Sequence, residues 1–308
     1  MNVEPSRPRT IRIANAPCSW GVLEFDGMAP PSGYQTVLDE IRDTGYAGTE
    51  LGDWGFMPTA PARLNAEITG RGLELVGAFV PVAFADRAAH DAGAATAVRT
   101  AALMRDAGFP AAFIVLADDN GSVAVREQHA GRIRPEHGLS DEGWMTLAAG
   151  VDTVADAVTQ QTGLRTVFHP HCGGYVETPD EIDRLMELTN HKRVGLVLDS
   201  GHVVYGGGDP LTVWHAHRQR VWHVHFKDCD FDVATAARHT GLGYLAAVRS
   251  RLFCELGKGV VDFAALADAL TDARYAGWIV VEQDVFPGDG SPKASAQRSR
   301  DFLRGLGL

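Results

Sequence analysis

Eight short apolar runs, "IRIANA", "GTEL", "ELVGAFV", "AAFIVLA", "LRTVFHPH", "VGLVLD", "VWHVHF" and "WIVVEQD", recur along the chain with helix-length stretches between most of them. Short apolar runs bounded by turn residues read as strands, and their alternation with longer segments implies βαβ units rather than a sandwich or a helical bundle. The intervening segments are "GYQTVLDEIRDTG", "APARLNAEITGRG", "GAATAVRTAALMRDAG", "EGWMTLAAGVDTVADAVTQQTG", "TPDEIDRLMEL", "DPLTVWHAHRQ" and "VDFAALADALTDA". Several start at Thr or Asp next to Pro and end in Gly, the chemistry that opens and closes helices. The pattern predicts an α/β fold, a (β/α)8 TIM barrel, with a doubly wound open sheet as the alternative. A barrel of this kind uses roughly 250 residues, so residues 11–308 of the 308 are assigned to one domain and residues 1–10 to a flexible N-terminal tail.

The formal charge of −11 argues against nucleic acid or an acidic membrane as partner, because phosphate binding draws on clustered Lys and Arg. A small neutral or metal-assisted substrate fits better. The start "MNVEPSRPRT" lacks the charged, apolar and small-residue order of a leader, and no apolar run is long enough to span a bilayer, so a cytoplasmic location is expected. Cys18, Cys172, Cys229 and Cys254 are widely spaced without a CxxC pair and read as reduced thiols.

Two stretches, residues 117–140 and 229–259, exceed ordinary connections and follow the fourth and seventh strands. Long connections in compact domains are usually lids or binding loops, and these would lie on the carboxyl-terminal rim where barrel enzymes work. Polar residues gather at that same end: Glu50, His169 and His171, Asp199, His225 and Lys227, Glu282 and Asp284. Strand alternation puts His169 with His171, His223 with His225 and Lys227, and Glu282 with Asp284 on common faces. A lone Asp after "GLVL" is ordinarily a capping residue and a lone strand His a satisfied core residue. So many at the ends of consecutive strands point to a shared site.

Asp, His and Glu offer oxygen and nitrogen ligands without thiolate, which suits Mn²⁺, Mg²⁺, Co²⁺ or Zn²⁺ acting as a Lewis acid on a substrate carbonyl or hydroxyl. "DSGHVVYGGGDP" lacks the spacing and lysine of a phosphate loop; its Asp209 instead caps a helix starting at Pro210, and His202 falls on the rim beside Asp199 as an orienting or proton-transfer group. Cys172 beside His171 is weak ground for a nucleophile, since catalytic partners meet in space rather than in the chain.

"HPHCGGYVETPDEIDRLM", "GLVLDSGHVVYGGGDP", "HVHFKD", "GKGVVDF" and "IVVEQD", with "GTELGDWGF" and "LELVGAFVPVAF" in the first half, resemble the sugar-phosphate isomerase/epimerase superfamily with its xylose isomerase-like barrel. Within it the chain is most similar to the myo-inosose-2 dehydratases of inositol catabolism. The resemblance implies a divalent metal, Mn²⁺ or Co²⁺ ahead of Mg²⁺ or Zn²⁺, held by Glu, Asp, His and Glu from the fifth to eighth strands. Asp199, His225 and Glu282 match the last three; at the first, the chain has His169-Pro170-His171 where many relatives have Glu-Asn-His. Either His169 is the fourth ligand or the site uses three protein ligands and water. On this reading Lys227 reaches the substrate oxygen, His223 lies deeper in the barrel and Asp228 begins the rim loop.

The implied reaction is β-elimination of water from a keto-inositol such as scyllo-inosose, with Glu50, His171 and His202 as the candidate acid and base. It needs no phosphate or redox cofactor. A keto-sugar isomerase or epimerase is the nearest alternative, since the same enediolate chemistry serves it. Endonuclease IV-like phosphodiesterases would need several metals and a basic face, and the negative charge counts against them. A non-catalytic sugar-binding barrel would have no need of the metal set. Family members often pair their barrels, so a homo-oligomer is a further expectation of the resemblance.

Overall fold

The computed structural model describes residues 11–22, 32–286 and 290–308; the tail assigned to residues 1–10 lies outside them. Eight parallel strands close into a barrel: β1 (Arg12–Asn15), β2 (Gly48–Glu50), β3 (Glu74–Val82), β4 (Phe113–Asp118), β5 (Arg165–Phe168), β6 (Val194–Asp199), β7 (Val221–Phe226) and β8 (Trp278–Val281). Each pairs with its sequence neighbours, and closure is made where Ala14 faces both Val280 and Gly48. The open-sheet alternative is thereby excluded.

Helices α1 (Tyr34–Asp43), α2 (Pro61–Thr69) and α3 (His90–Asp106) return the chain over the first half of the barrel. They turn apolar stripes inward, as with Val37, Leu38 and Ile41 of α1. α4 (Ala124–His129) follows β4, and the 22-residue α5 (Asp141–Thr162) is capped by Ser140 and ended by Gly163 in the left-handed conformation. α6 (Pro179–Leu188) opens on a reciprocal capping box between Thr178 and Glu181. α7 (Ser200–Tyr205) starts at the end of β6, and α8 (Pro210–His217) is capped by Asp209 as the sequence predicts.

Inside the barrel, Val115, Val167 and Val197 form a small layer with Phe79, Phe113 and Trp222. Val167 and Val197 precede His169 and Asp199 by two residues and so share their strand face. This layer is the floor of the site.

One expectation is corrected. β5 ends at Phe168 and β8 at Val281, so His169, His171, Glu282 and Asp284 stand beyond the regular strands. His169 and Glu282 still extend the ladder by one bond each, to Leu116 O at 2.7 Å and Phe226 O at 3.0 Å. The long stretches carry secondary structure of their own: the first holds α4, and the second holds α9 (Phe231–Thr240), α10 (Tyr244–Arg249) and an antiparallel pairing of Asp228–Cys229 with Phe253–Cys254. α11 (Phe263–Asp272) matches its predicted segment, whereas α12 (Pro292–Gly305) was not anticipated, its buried face being only Ala296, Ser299 and Leu303.

The two rim insertions dock on each other. Leu245 N–H donates to Glu127 Oε1 at 3.2 Å, Arg132 to Leu242 O at 2.8 Å and Arg238 Nε to Gly131 O at 2.9 Å. Asp228 anchors the second insertion at its base. Its fully buried carboxylate accepts the backbone N–H groups of Cys229, Gly257, Gly259 and Val261 at 2.8–3.1 Å. Removing it strands four donors at a cost of about 1–3 kcal/mol for each that stays dry. Asp228→Ala is therefore expected to lower the unfolding free energy by at least about 2 kcal/mol in urea denaturation, and to expose residues 229–259 to limited proteolysis first. Wild-type stability in that variant would contradict the anchoring role.

Candidate active site and metal centre

Four side chains meet at the carboxyl end of the strands. Asp199 ends β6, His225 lies beside it in register on β7, and His169 and Glu282 follow β5 and β8 by one residue. All four are buried, and one ligand atom from each lies within 4.8 Å of the others. His169 Nε2 is 3.3 Å from Asp199 Oδ2.

The orientation of His225 is what makes this grouping fit a metal. Its Nδ1 is buried and makes no hydrogen bond, although Glu282 Oε2 and Asp199 Oδ2 stand 3.4 and 3.7 Å away. Its Nε2 faces Glu50 Oε1 at 3.2 Å, and the same oxygen takes His223 Nε2 at 2.8 Å. A carboxylate behind a histidine, with the other ring nitrogen aimed at oxygen donors, is the arrangement found around metal-binding imidazoles. Gly77 on β3 makes room for it, since a Cβ there would stand 2.7 Å from Glu50 Oε1. Burial opposes ionisation of Glu50, but His225 and His223 outweigh it and hold the carboxyl below its usual range. Burial likewise disfavours charge on His225, yet Glu282 and Glu50 hold its proton well above the usual histidine range. Hard oxygen and imidazole donors suit a divalent ion.

Lys227, almost wholly buried, extends over this group. Its Nζ is 3.0 Å from Glu282 Oε2 and 3.2 and 3.3 Å from the Asp284 oxygens. Burial works against its charge, but Asp284, Glu282 and Asp199 more than compensate and keep the ammonium protonated. His202 is not an open rim residue: it is buried behind Lys227, with Nε2 3.3 Å from Nζ, and its Nδ1 accepts the Cys172 N–H at 3.2 Å. His171 Nδ1 lies 2.8 Å from the Cys172 carbonyl. A carbonyl only accepts, so Nδ1 carries the proton and Nε2 presents its lone pair. Burial, reinforced by neighbouring positive charge, keeps both His171 and His202 neutral well below the usual histidine pKa. Cys172 is buried with its thiol pKa raised, donating to His202 O, which removes it as a nucleophile.

A cavity of about 120 Å³ opens onto His169, His171, His225, Lys227 and Glu282, with Glu50 at its wall. Two contributors were not singled out in the sequence. Tyr244 of α10 reaches the cavity with its hydroxyl 3.5 Å from His171 Nε2, and Asp53 also lines it. Tyr244 belongs to an insertion with no periodicity to orient it, so only the docking of that insertion brings it in.

Known proteins share this framework. The xylose isomerase-like TIM barrel model matches residues 38–306. Inosose dehydratase of Geobacillus kaustophilus (strain HTA426) is 32% identical over 292 residues, covering 95% of this chain and 93% of that protein. Rhizopine catabolism protein MocC of Rhizobium meliloti is 35% identical, covering 96% and 88%. Among solved structures, the IOLI protein with a bound zinc atom superposes with a TM-score of 0.70 at 14% identity, over 96% of this chain and 98% of that one, a likeness of fold. From the closed barrel, the family match and near-full-length relatives at this identity, the chain belongs to the xylose isomerase-like TIM barrel family, in company with the inosose dehydratases.

Proposed function

We propose that the chain is a hydro-lyase that eliminates water from a keto-inositol, scyllo-inosose, with a divalent ion, Mn²⁺ or Co²⁺, held by His169, Asp199, His225 and Glu282. The observation that carries the metal reading is the buried, unbonded Nδ1 of His225 turned toward Asp199 and Glu282 with Glu50 behind the ring. The near-full-length likeness to inosose dehydratases supports the substrate and reaction class. The bound ion supplies Lewis acidity to a ketone oxygen, which makes the adjacent C–H proton removable.

His171 is the base. Its tautomer is set by the Cys172 carbonyl, and its Nε2 lone pair faces the cavity. It takes the α-proton, the electron pair left behind forms the carbon–carbon double bond, and the β carbon–oxygen bond breaks. Lys227 protonates the departing hydroxyl to give water, and the proton that His171 has taken restores the ammonium by way of solvent before the next turnover. Glu50 orients the two rings, its Oε1 accepting from both His223 and His225.

With Mn²⁺- or Co²⁺-reconstituted protein and scyllo-inosose in D₂O, NMR is expected to show the trihydroxycyclohexane-dione forming, and EDTA to stop it. Deuterium entering an otherwise intact ring would instead indicate an epimerase. His171→Gln should reduce kcat about 10²–10⁴-fold with little change in KM; a loss confined to KM would remove it as the base. Glu50→Gln should weaken metal affinity by about 10–100-fold in competition with a chelating dye, and unchanged affinity would deny it the orienting role. In metal-free protein, the His171 and His202 ring signals should stay at their neutral positions as pH falls through about 6.5, where a solvated imidazole titrates. Titration of either ring there would contradict its burial.

A further inference from the structure

The metal-binding group shares a member with a second one. Besides His169, Asp199, His225 and Glu282, the ligand atoms of Cys18, Glu282 and Asp284 lie within 4.8 Å of one another, so Glu282 stands in both. A carboxylate common to two clusters is the outline of a two-ion site, where metals about 3.5–4 Å apart flank a reacting group. Here, however, the second position is taken by the chain itself. Lys227 Nζ lies 3.0 Å from Glu282 Oε2 and 3.2 Å from Asp284 Oδ1, and 4.8 Å from the centre of the Phe253 ring.

We infer that Lys227 is a resident second cation, its ammonium filling the place between Glu282 and Asp284 and limiting the site to one divalent ion per chain. The inference rests on the metal reading proposed above and adds the stoichiometry and its cause. Three facts carry it.

The first is charge. Asp199, Glu282 and Asp284 are the carboxylates nearest Nζ, at 3.9, 3.0 and 3.2 Å. One divalent ion and one ammonium neutralise these three, Glu50 being held by its two imidazoles, whereas a second ion beside the ammonium would leave positive charge uncompensated among buried groups, which is costly. The second is the fixed path of the lysine stem. A Cβ at Gly201 would stand 2.7 Å from Lys227 Cγ, so that position has room for the stem only as glycine. The third is anchoring: Lys227 N–H donates to Ser200 Oγ at 3.0 Å, and Ser200 Oγ returns a bond to Lys227 O at 2.7 Å. The side chain is built into the position rather than reaching into it from solvent. An ammonium and a metal on either side of Glu282 then present two positive centres to one substrate, one of which can also give up a proton.

The test counts ions on metal-free protein titrated with Mn²⁺ alone, free Mn²⁺ being read from its EPR signal. Wild type is expected to bind one ion per chain. Lys227→Met should bind two, Lys227→Arg one, and Lys227→Met combined with Asp284→Asn one, with far-UV circular dichroism confirming the fold of each. Two ions on wild type overturn the inference whether or not any variant folds. One ion on a folded Lys227→Met variant also overturns it and leaves the proposed metal reading standing. No ion on wild type overturns both.

Discussion

Carboxylates sunk into the mouth of the barrel impose the constraint that the rest of the site answers. Glu50, Asp199 and Glu282 are each less than a tenth exposed, with Asp284 at their edge. An isolated buried carboxylate is far too costly to keep ionised, so every one is paired: Glu50 with two imidazoles, Asp199 with His169 and a helical N–H, Glu282 and Asp284 with Lys227. This pairing is geometric as well as electrostatic. Strand register places His225 beside Asp199, and glycines at 77 and 201 leave the space that Glu50 and Lys227 occupy.

The scaffold separates rigidity from recognition. Below the site, valines and aromatic rings fill the barrel, so the polar side chains project from a packed floor. Above it, the two insertions are joined to each other and to the β5–α6 connection. Glu177, buried with its carboxyl pushed up to about 7, accepts the N–H groups of Gly131 and Gly173 and so ties the first insertion to the loop carrying His171. Arg126, fully buried, clamps Glu181 through two bonds of 2.8 and 2.9 Å and holds the Gly174 carbonyl. Tyr244 is consequently delivered to the cavity by a wall rather than by an untethered loop. Among the described residues no helix is long and apolar enough to cross a membrane.

Much of this was legible in the chain, for identifiable reasons. Strands such as "VGLVLD" are buried on both faces and therefore read as unbroken apolar runs. Their polar ends are conspicuous because nothing in a strand core explains them, which makes Asp199, His225 and Glu282 stand out as candidates. Where the signal failed, the cause was length or packing. α4, α7 and α10 have six residues each, too few for an amphipathic period to show. Period-two alternation puts His169 and His171 on one strand face, but β5 stops at Phe168; His171 instead turns inward through a tight loop in which its N–H meets Val176 O at 3.0 Å.

By itself, then, the sequence determined the alternation that closes a barrel, the end of that barrel where chemistry collects, and the ligand types available to a metal. Those properties are local: they depend on apolar period, turn residues and side-chain chemistry along short stretches. Only the tertiary structure decided what each polar group faces. Glu50 and His223 are 173 positions apart, and His171 and Tyr244 are 73. Whether a carboxylate transfers a proton or holds a ring, and which nitrogen of a histidine keeps its lone pair, is set by partners that come together only when the strands register and the insertions dock.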